Sequence, residues 1–246
     1  MSLYVLSDLH LSGTVNKSME VFGSRWNGYT EKIQKNWSAI VEPDDVVIIP
    51  GDISWGMTLE EAETDLRFID ALPGRKLLGK GNHDFWWSTA NKMNTFFAER
   101  GFNSLSILYN NAYRLEDCIV CGTRGWFNDE KQQSTAFPTD YAKIVNREVM
   151  RLSMSLECAE KLRADDPELP ILVFLHFPPV WGSFVCREIL DLLHAHNIRE
   201  CYFGHIHGAY NLPRCQSFEG IDMILTAADF LQFVPMPIYP SLDVEY

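Results

Sequence analysis

Apolar and polar positions follow two rhythms along this chain. Short unbroken apolar runs at Leu3–Leu6, Val46–Ile49, Lys76–Leu78, Ile171–Leu175 and Glu200–Phe203 are each closed by Gly, Pro or Asp. That pattern predicts buried strands. Helical spacing fills the stretches between them. Thr58–Leu72 opens with a Thr cap and an acidic first turn and stops before Pro73-Gly74, and Ser88–Arg100 stops at Gly101. Thr139–Arg163 carries Ile144, Val149, Leu152, Leu156 and Leu162 near helical spacing, and Ser183–His196 is a further helix of this kind. Strand-helix alternation predicts an α/β class with buried sheets.

Two segments break the alternation. Ser104–Gly122 places three strand-like runs around Asn110-Asn111 and Glu116-Asp117, which predicts hairpins and the start of a second sheet. Gln216–Thr226 repeats the pattern around Glu219-Gly220. The stretch Pro235–Pro240 predicts an extended tail. Repeats, linkers and low-complexity tracts are absent, so one domain over residues 1–246 is the expected organisation.

Charge narrows the function classes. There are 21 Lys and Arg against 33 Asp and Glu, a net −12. A surface that acidic repels phosphate backbones and argues against long nucleic acid as a partner. No apolar run approaches the roughly 20 residues that cross a bilayer, so no membrane partner is expected. The N-terminus has no basic region ahead of its short apolar stretch, and six cysteines are too few for a disulfide scaffold. A cytoplasmic location with reduced thiols is the expectation. The oligomeric state is not legible.

Five short motifs carry the chemistry, and each follows a predicted strand. They are Asp8-Leu9-His10, Gly51-Asp52, Gly81-Asn82-His83-Asp84, His176, and Gly204-His205-Ile206-His207. Ligands of open α/β sheets gather at the carboxyl ends of strands. Asp8, His10, Asp52, Asn82, His176, His205 and His207 make a mixed oxygen and nitrogen donor set without thiolates. Such a set suits Mn, Fe, Co, Ni or Zn in a reactive site rather than a structural zinc. Seven side chains exceed the need of one ion; with Asp52 bridging, two ions would each receive four.

These blocks, in this order from position 8 to 207, resemble the calcineurin-like metallophosphoesterase superfamily. The resemblance implies a four-layer α/β/β/α sandwich of two mixed β-sheets flanked by helices. It implies a dinuclear centre of divalent or trivalent ions, with Mn, Fe or Zn foremost. Asp8, His10 and His207 would serve one ion, Asn82, His176 and His205 the other, and Asp52 both. It further implies a phosphoesterase that cleaves phosphomonoesters or phosphodiesters by attack of a metal-bridging hydroxide, with catalytic His83 near the leaving group. Two ions about 3.5–4 Å apart neutralise a phosphoryl group and hold it in line with its nucleophile. A small phosphorylated substrate is the expected partner.

Other residues receive weaker readings. Asn82 and Arg124, in Gly122-Thr-Arg-Gly-Trp126, are candidate substrate contacts. Asp84 is placed to orient an imidazole only by adjacency in sequence. His194 and His196 read as helix C-terminal residues, and Cys118 and Cys121 as strand residues. Trp55, Trp86, Trp87, Trp126 and Trp181 all follow loops of the site, either packing beneath it or walling it. A nucleotide phosphodiesterase or nuclease is the alternative activity. A non-catalytic scaffold should lack a ligand or His83, and this chain lacks neither.

Overall fold

The computed structural model describes residues 1–126 and 141–238. The first sheet has the order β13-β1-β2-β3-β4. Its strands are β1 (Leu3–Val5), β2 (Val46–Ile49), β3 (Arg75–Leu78), β4 (Leu105–Ile107) and β13 (Met236–Ile238). All pair in parallel except β13. The second sheet has the order β11-β12-β10-β7-β6-β5. It holds β5 (Asn111–Arg114), β6 (Ile119–Thr123), β7 (Ile171–Leu175), β10 (Glu200–Phe203), β11 (Cys215–Phe218) and β12 (Ile221–Leu225). Its four central strands are parallel and both edges antiparallel. A small hairpin, β8 (Val180–Trp181) with β9 (Phe184–Val185), stands apart.

Helices α1 (Tyr29–Ile40), α2 (Leu59–Ala71), α3 (Ala90–Arg100), α4 (Tyr141–Arg163) and α5 (Arg187–Ala195) complete the fold. The central strands alternate strictly between two cores. Val120, Leu172, Phe174 and Tyr202 join the core shared with the first sheet. Their neighbours Ile119, Cys121, Val173, Leu175, Cys201 and Phe203 join Leu152, Leu156, Ile189 and Leu193 of α4 and α5. A period of two on a sheet buried on both faces needs this arrangement. The result is the mixed α/β sandwich of two large sheets flanked by helices.

Three elements differ from the sequence reading. The tail around Pro235 is a strand: Met236–Ile238 pairs antiparallel with β1, and Pro237 faces Tyr4 on this edge. An edge strand tolerates a residue that donates no hydrogen bond on its free side. Helix α5 begins at Arg187 rather than Ser183, because Phe184 and Val185 pair with β8. Helix α1 escaped the pattern, although Tyr29, Ile33 and Trp37 are buried at successive i+4 positions. Thr139 and Pro240 lie outside the described residues.

The sheets are tied together at one end. Ser7 N–H donates to the Thr226 carbonyl (3.0 Å) and Ala228 N–H to that of Ser7 (2.9 Å). This joins the exits of β1 and β12, beside the loops that carry the five motifs.

Candidate metal centre

Each motif begins where a parallel strand ends. Asp8 and His10 leave β1, Asp52 leaves β2, and Asn82 and His83 leave β3. His176 leaves β7, and His205 and His207 leave β10. Asp8, His10, Asp52 and His205 have φ of 59°, 47°, 51° and 68°. That left-handed region is uncommon for residues with a side chain and is held where surroundings enforce it. Here they do. Asp8 N–H donates to Gly51 (3.0 Å), His10 N–H to Asp52 (2.9 Å), and His205 N–H to the Asp8 carboxylate (2.9 Å). Two motif glycines serve close approach: a Cβ at Gly81 would collide with Asp52, and one at Gly204 with Asp8 and Ser7.

Two donor groups result: Asp8, His10 and His207, and Asp52, His176 and His205. Within each group the donor atoms lie within 4.8 Å of one another. Asn82 joins the second, its Oδ1 2.7 Å from His176 Nε2. Sequence reasoning thus named every member, and the fold brings all seven together.

The tautomers test whether cations fit. His176 Nδ1 lies 3.2 Å from the Pro50 carbonyl and donates to it, so Nε2 presents a lone pair to Asn82 Oδ1. Asp52 Oδ2 is 3.5 Å from the same nitrogen. His207 Nδ1 donates to Asp229 Oδ1 (2.8 Å), leaving Nε2 aimed at His10 Nε2, 3.1 Å away. With each Nδ1 held by an acceptor, the Nε2 atoms of His176 and His207 face the other donors, the orientation that metal-ligating imidazoles take. Burial shifts the titrating donors, and His207 is raised against it by Asp229 and Asp8. Burial first, then Asp8 and Asp84, raises Asp52 well above the carboxylate range. Burial pushes Asp8 up to about 6, against His207, Ser7 and the His205 amide. Burial, then neighbouring imidazoles, keeps His10 and His176 neutral. The donors fit two metal ions.

Two acids outside the donor set hold it in place. Asp84 is fully buried and accepts from the main-chain N–H of Asp52, Ile53 and Gly81 (each 2.8 Å). It also accepts from Ser54 N–H (3.3 Å) and Trp86 Nε1 (3.0 Å). Its role is to lock two motif loops together, not to orient an imidazole. Asp229 escaped sequence reasoning because it lies in the return from β12, 22 residues beyond His207. It accepts from His207, Gly208 N–H (3.1 Å) and Tyr210 (2.9 Å). Burial works to raise Asp229, but these donors hold it below the usual range.

His83 is half-buried at the wall of an open cavity of about 720 Å³. Its backbone N–H donates to Asp52 Oδ1 (2.8 Å), which fixes the loop beside the donors. Burial, then His207 and Lys17, lowers its pKa. Trp55 and Trp181 line the cavity, as does Trp26, which the sequence did not single out. Trp55 stacks on His10, with centroids 5.0 Å apart. Trp86 serves Asp84, Trp87 packs edgewise on Tyr109, and Trp126 lies against Phe177. Arg124 turns its guanidinium to the buried Glu148 (3.0 Å), which Arg151 also binds. Its carbonyl accepts from His176 and Phe177 N–H (3.0 and 2.9 Å), so its main chain steadies the His176 loop. His194 and His196 pair with Glu219 and Glu160, away from the centre.

Comparison with known proteins agrees with this geometry. Residues 1–209 match the family model described as calcineurin-like phosphoesterase. A stretch of 78 residues is 36% identical to the Gene 66 protein of Mycobacterium phage L5. That stretch covers 32% of this chain and 37% of the phage protein, so the match spans little over a third of that relative. Among solved structures, a phosphopantetheinyl hydrolase from Mycobacterium tuberculosis is 14% identical with a TM-score of 0.57, over 100% of this chain and 98% of that one. A protein of unknown function from Aquifex aeolicus is 17% identical with a TM-score of 0.50, over 96% and 95% of the two chains. TT1561 of Thermus thermophilus is 11% identical with a TM-score of 0.55, over 93% and 89%. At these identities the likeness is one of fold.

Proposed function

The chain belongs to the calcineurin-like phosphoesterase family, and from that premise we propose that it hydrolyses small phosphomonoesters or phosphodiesters with two metal ions. Convergence of seven donors from five loops, in two groups that share one floor, carries this reading. Asp8, His10 and His207 would hold one ion, Asn82, His176 and His205 the other, and Asp52 both. When bound, such ions neutralise phosphoryl oxygens and supply a nucleophile near neutral pH.

The chain's own residues do the rest. Asp229 fixes the tautomer of His207, and the Pro50 carbonyl fixes that of His176. Asp84 sets the distance between the Asp52 and Asn82 loops. His83 stands on the cavity wall, 5.6 Å from His10 between ring centroids, where it can donate a proton to a departing alkoxide. Trp55 stacks on His10 and lies tilted against His83.

Chelator-treated protein is expected to lose hydrolysis of bis-p-nitrophenyl phosphate and p-nitrophenyl phosphate, and Mn²⁺ to restore it. Undiminished turnover in protein shown to be metal-free would overturn the reading. The ratio between the two substrates separates diester from monoester preference.

A further inference from the structure

The cavity is larger than a phosphoryl group needs. Pockets of roughly 300–1,000 Å³ enclose whole organic ligands, and this one measures about 720 Å³. The metal donors form only its floor. Met19, Phe22, Trp26, Trp55, Trp181 and Tyr210 supply an apolar, mostly aromatic wall. Phe22 stands on the 3-10 turn Met19–Phe22 and leaves 70% of its surface exposed at the rim. A flat apolar body has faces to meet here.

One exposed cation, outside the lining residues, lies against that wall. Lys17 Nζ lies 5.2 Å from the centroid of Trp55, and the Trp55 ring is 4.4 Å from that of His83. Among the described residues no carboxylate lies within ion-pair distance of it. Arg25 offers a contrast. It lies 3.8 Å from the Tyr210 centroid and in addition donates to the Asp229 carbonyl (3.2 Å). In a chain of net −12 the long-range field disfavours anions. The Lys17 ammonium, without a carboxylate partner among the described residues and resting on Trp55, offsets that locally.

We propose that the leaving group of the substrate is a flat apolar body bearing a negative charge, stacked within the aromatic wall and paired with Lys17. The orientation rests on the hydrolytic reading, which puts His83 on the leaving-group side; the binding site itself does not. Lys17 thereby acts as a specificity-determining residue, and neutral leaving groups are disfavoured.

Three non-hydrolysable probes test this on Mn²⁺-loaded full-length protein by calorimetry: methylphosphonate, phenylphosphonate and 4-(carboxymethyl)phenylphosphonate. Phenylphosphonate should bind more tightly than methylphosphonate. The carboxymethyl probe should gain a further factor of roughly two to five, the worth of one exposed ion pair. Lys17→Gln should bring that factor to about one, and Lys17→Arg should keep it. Equal binding of all three probes, or a charge preference unchanged in Lys17→Gln, would overturn the proposal. Hydrolysis of phenyl phosphate, followed in parallel, separates the two readings. Probe preference without turnover removes the hydrolytic reading and keeps the subsite; turnover without preference does the reverse.

Discussion

The floor of the cavity and its rim are built on opposite terms. Every predicted metal donor on the floor is tied through its backbone or its ring to a second motif or a buried acid. Four of them hold a left-handed backbone. The rim, on segment 17–26, has Phe22 70% and Val21 81% exposed, with Lys17 resting on a ring face. A reaction that needs donors placed to a fraction of an ångström requires the first kind of construction. Recognition of a variable organic group can use the second. On the proposed reading the floor sets the reaction, while the rim sets what undergoes it.

The comparison breaks first if the floor is not held as described. Asp84→Ala would strand five N–H donors that now share one carboxylate. Leaving a buried donor unsatisfied costs about 1–3 kcal/mol, and several are stranded at once. Denaturant unfolding of Asp84→Ala should show a loss of that order, with metal affinity falling alongside. A loss below about 0.5 kcal/mol, the scale of an ordinary surface change, would mean the loops are held by something else.

Next in size is the chemical step. His83→Ala should lower kcat by roughly 10²–10⁴, the usual contribution of a positioned general acid, and leave metal content unchanged. The loss should grow as the leaving-group alcohol becomes more basic. Equal losses for p-nitrophenyl and methyl esters would assign His83 to binding instead.

A smaller effect is expected one layer back. Asp229→Asn keeps the shape but withdraws the charge that orients His207. Metal affinity should fall by about 10- to 100-fold, as for other residues that support a ligand. Titration of the apoprotein with Mn²⁺ measures it. An unchanged affinity would mean that His207 needs no such support.

This ordering also explains what the sequence made legible. Each donor sits within five residues of a strand end, so local pattern and local chemistry coincide; Asp8-Leu9-His10 is visible as letters. Asp84 was visible too, but its acceptor role depends on the N–H groups of Asp52 and Ile53, more than 30 residues away. Asp229 reaches the site only because β12 returns the chain to it, and Trp26 because the 3-10 turn Ser24–Trp26 ahead of α1 folds back on it. Their residue types are common in loops and cores, so no local signal marks them. Strand β13 was hidden for a related reason: Pro237 reads as a breaker unless the partner strand β1 and the free edge are known.

The smallest effect belongs to the rim and sharpens the contrast most. Phe22 is exposed, and among the described residues no ring contact anchors it. Phe22→Ser should therefore change stability by no more than about 0.5 kcal/mol, as surface substitutions do. If it walls the leaving group, KM for aryl phosphates should rise severalfold while KM for methyl phosphate stays put, because only the aryl group reaches that height of the cavity. Losing a stacking face costs about 1–3 kcal/mol where the ring is fully engaged, and an exposed residue sits at the low end. A stability loss comparable to that of Asp84→Ala would place Phe22 in the core and erase the boundary between floor and rim. Identical KM changes for aryl and methyl substrates would leave that boundary intact but move recognition elsewhere on the wall, to Trp55 or Trp181.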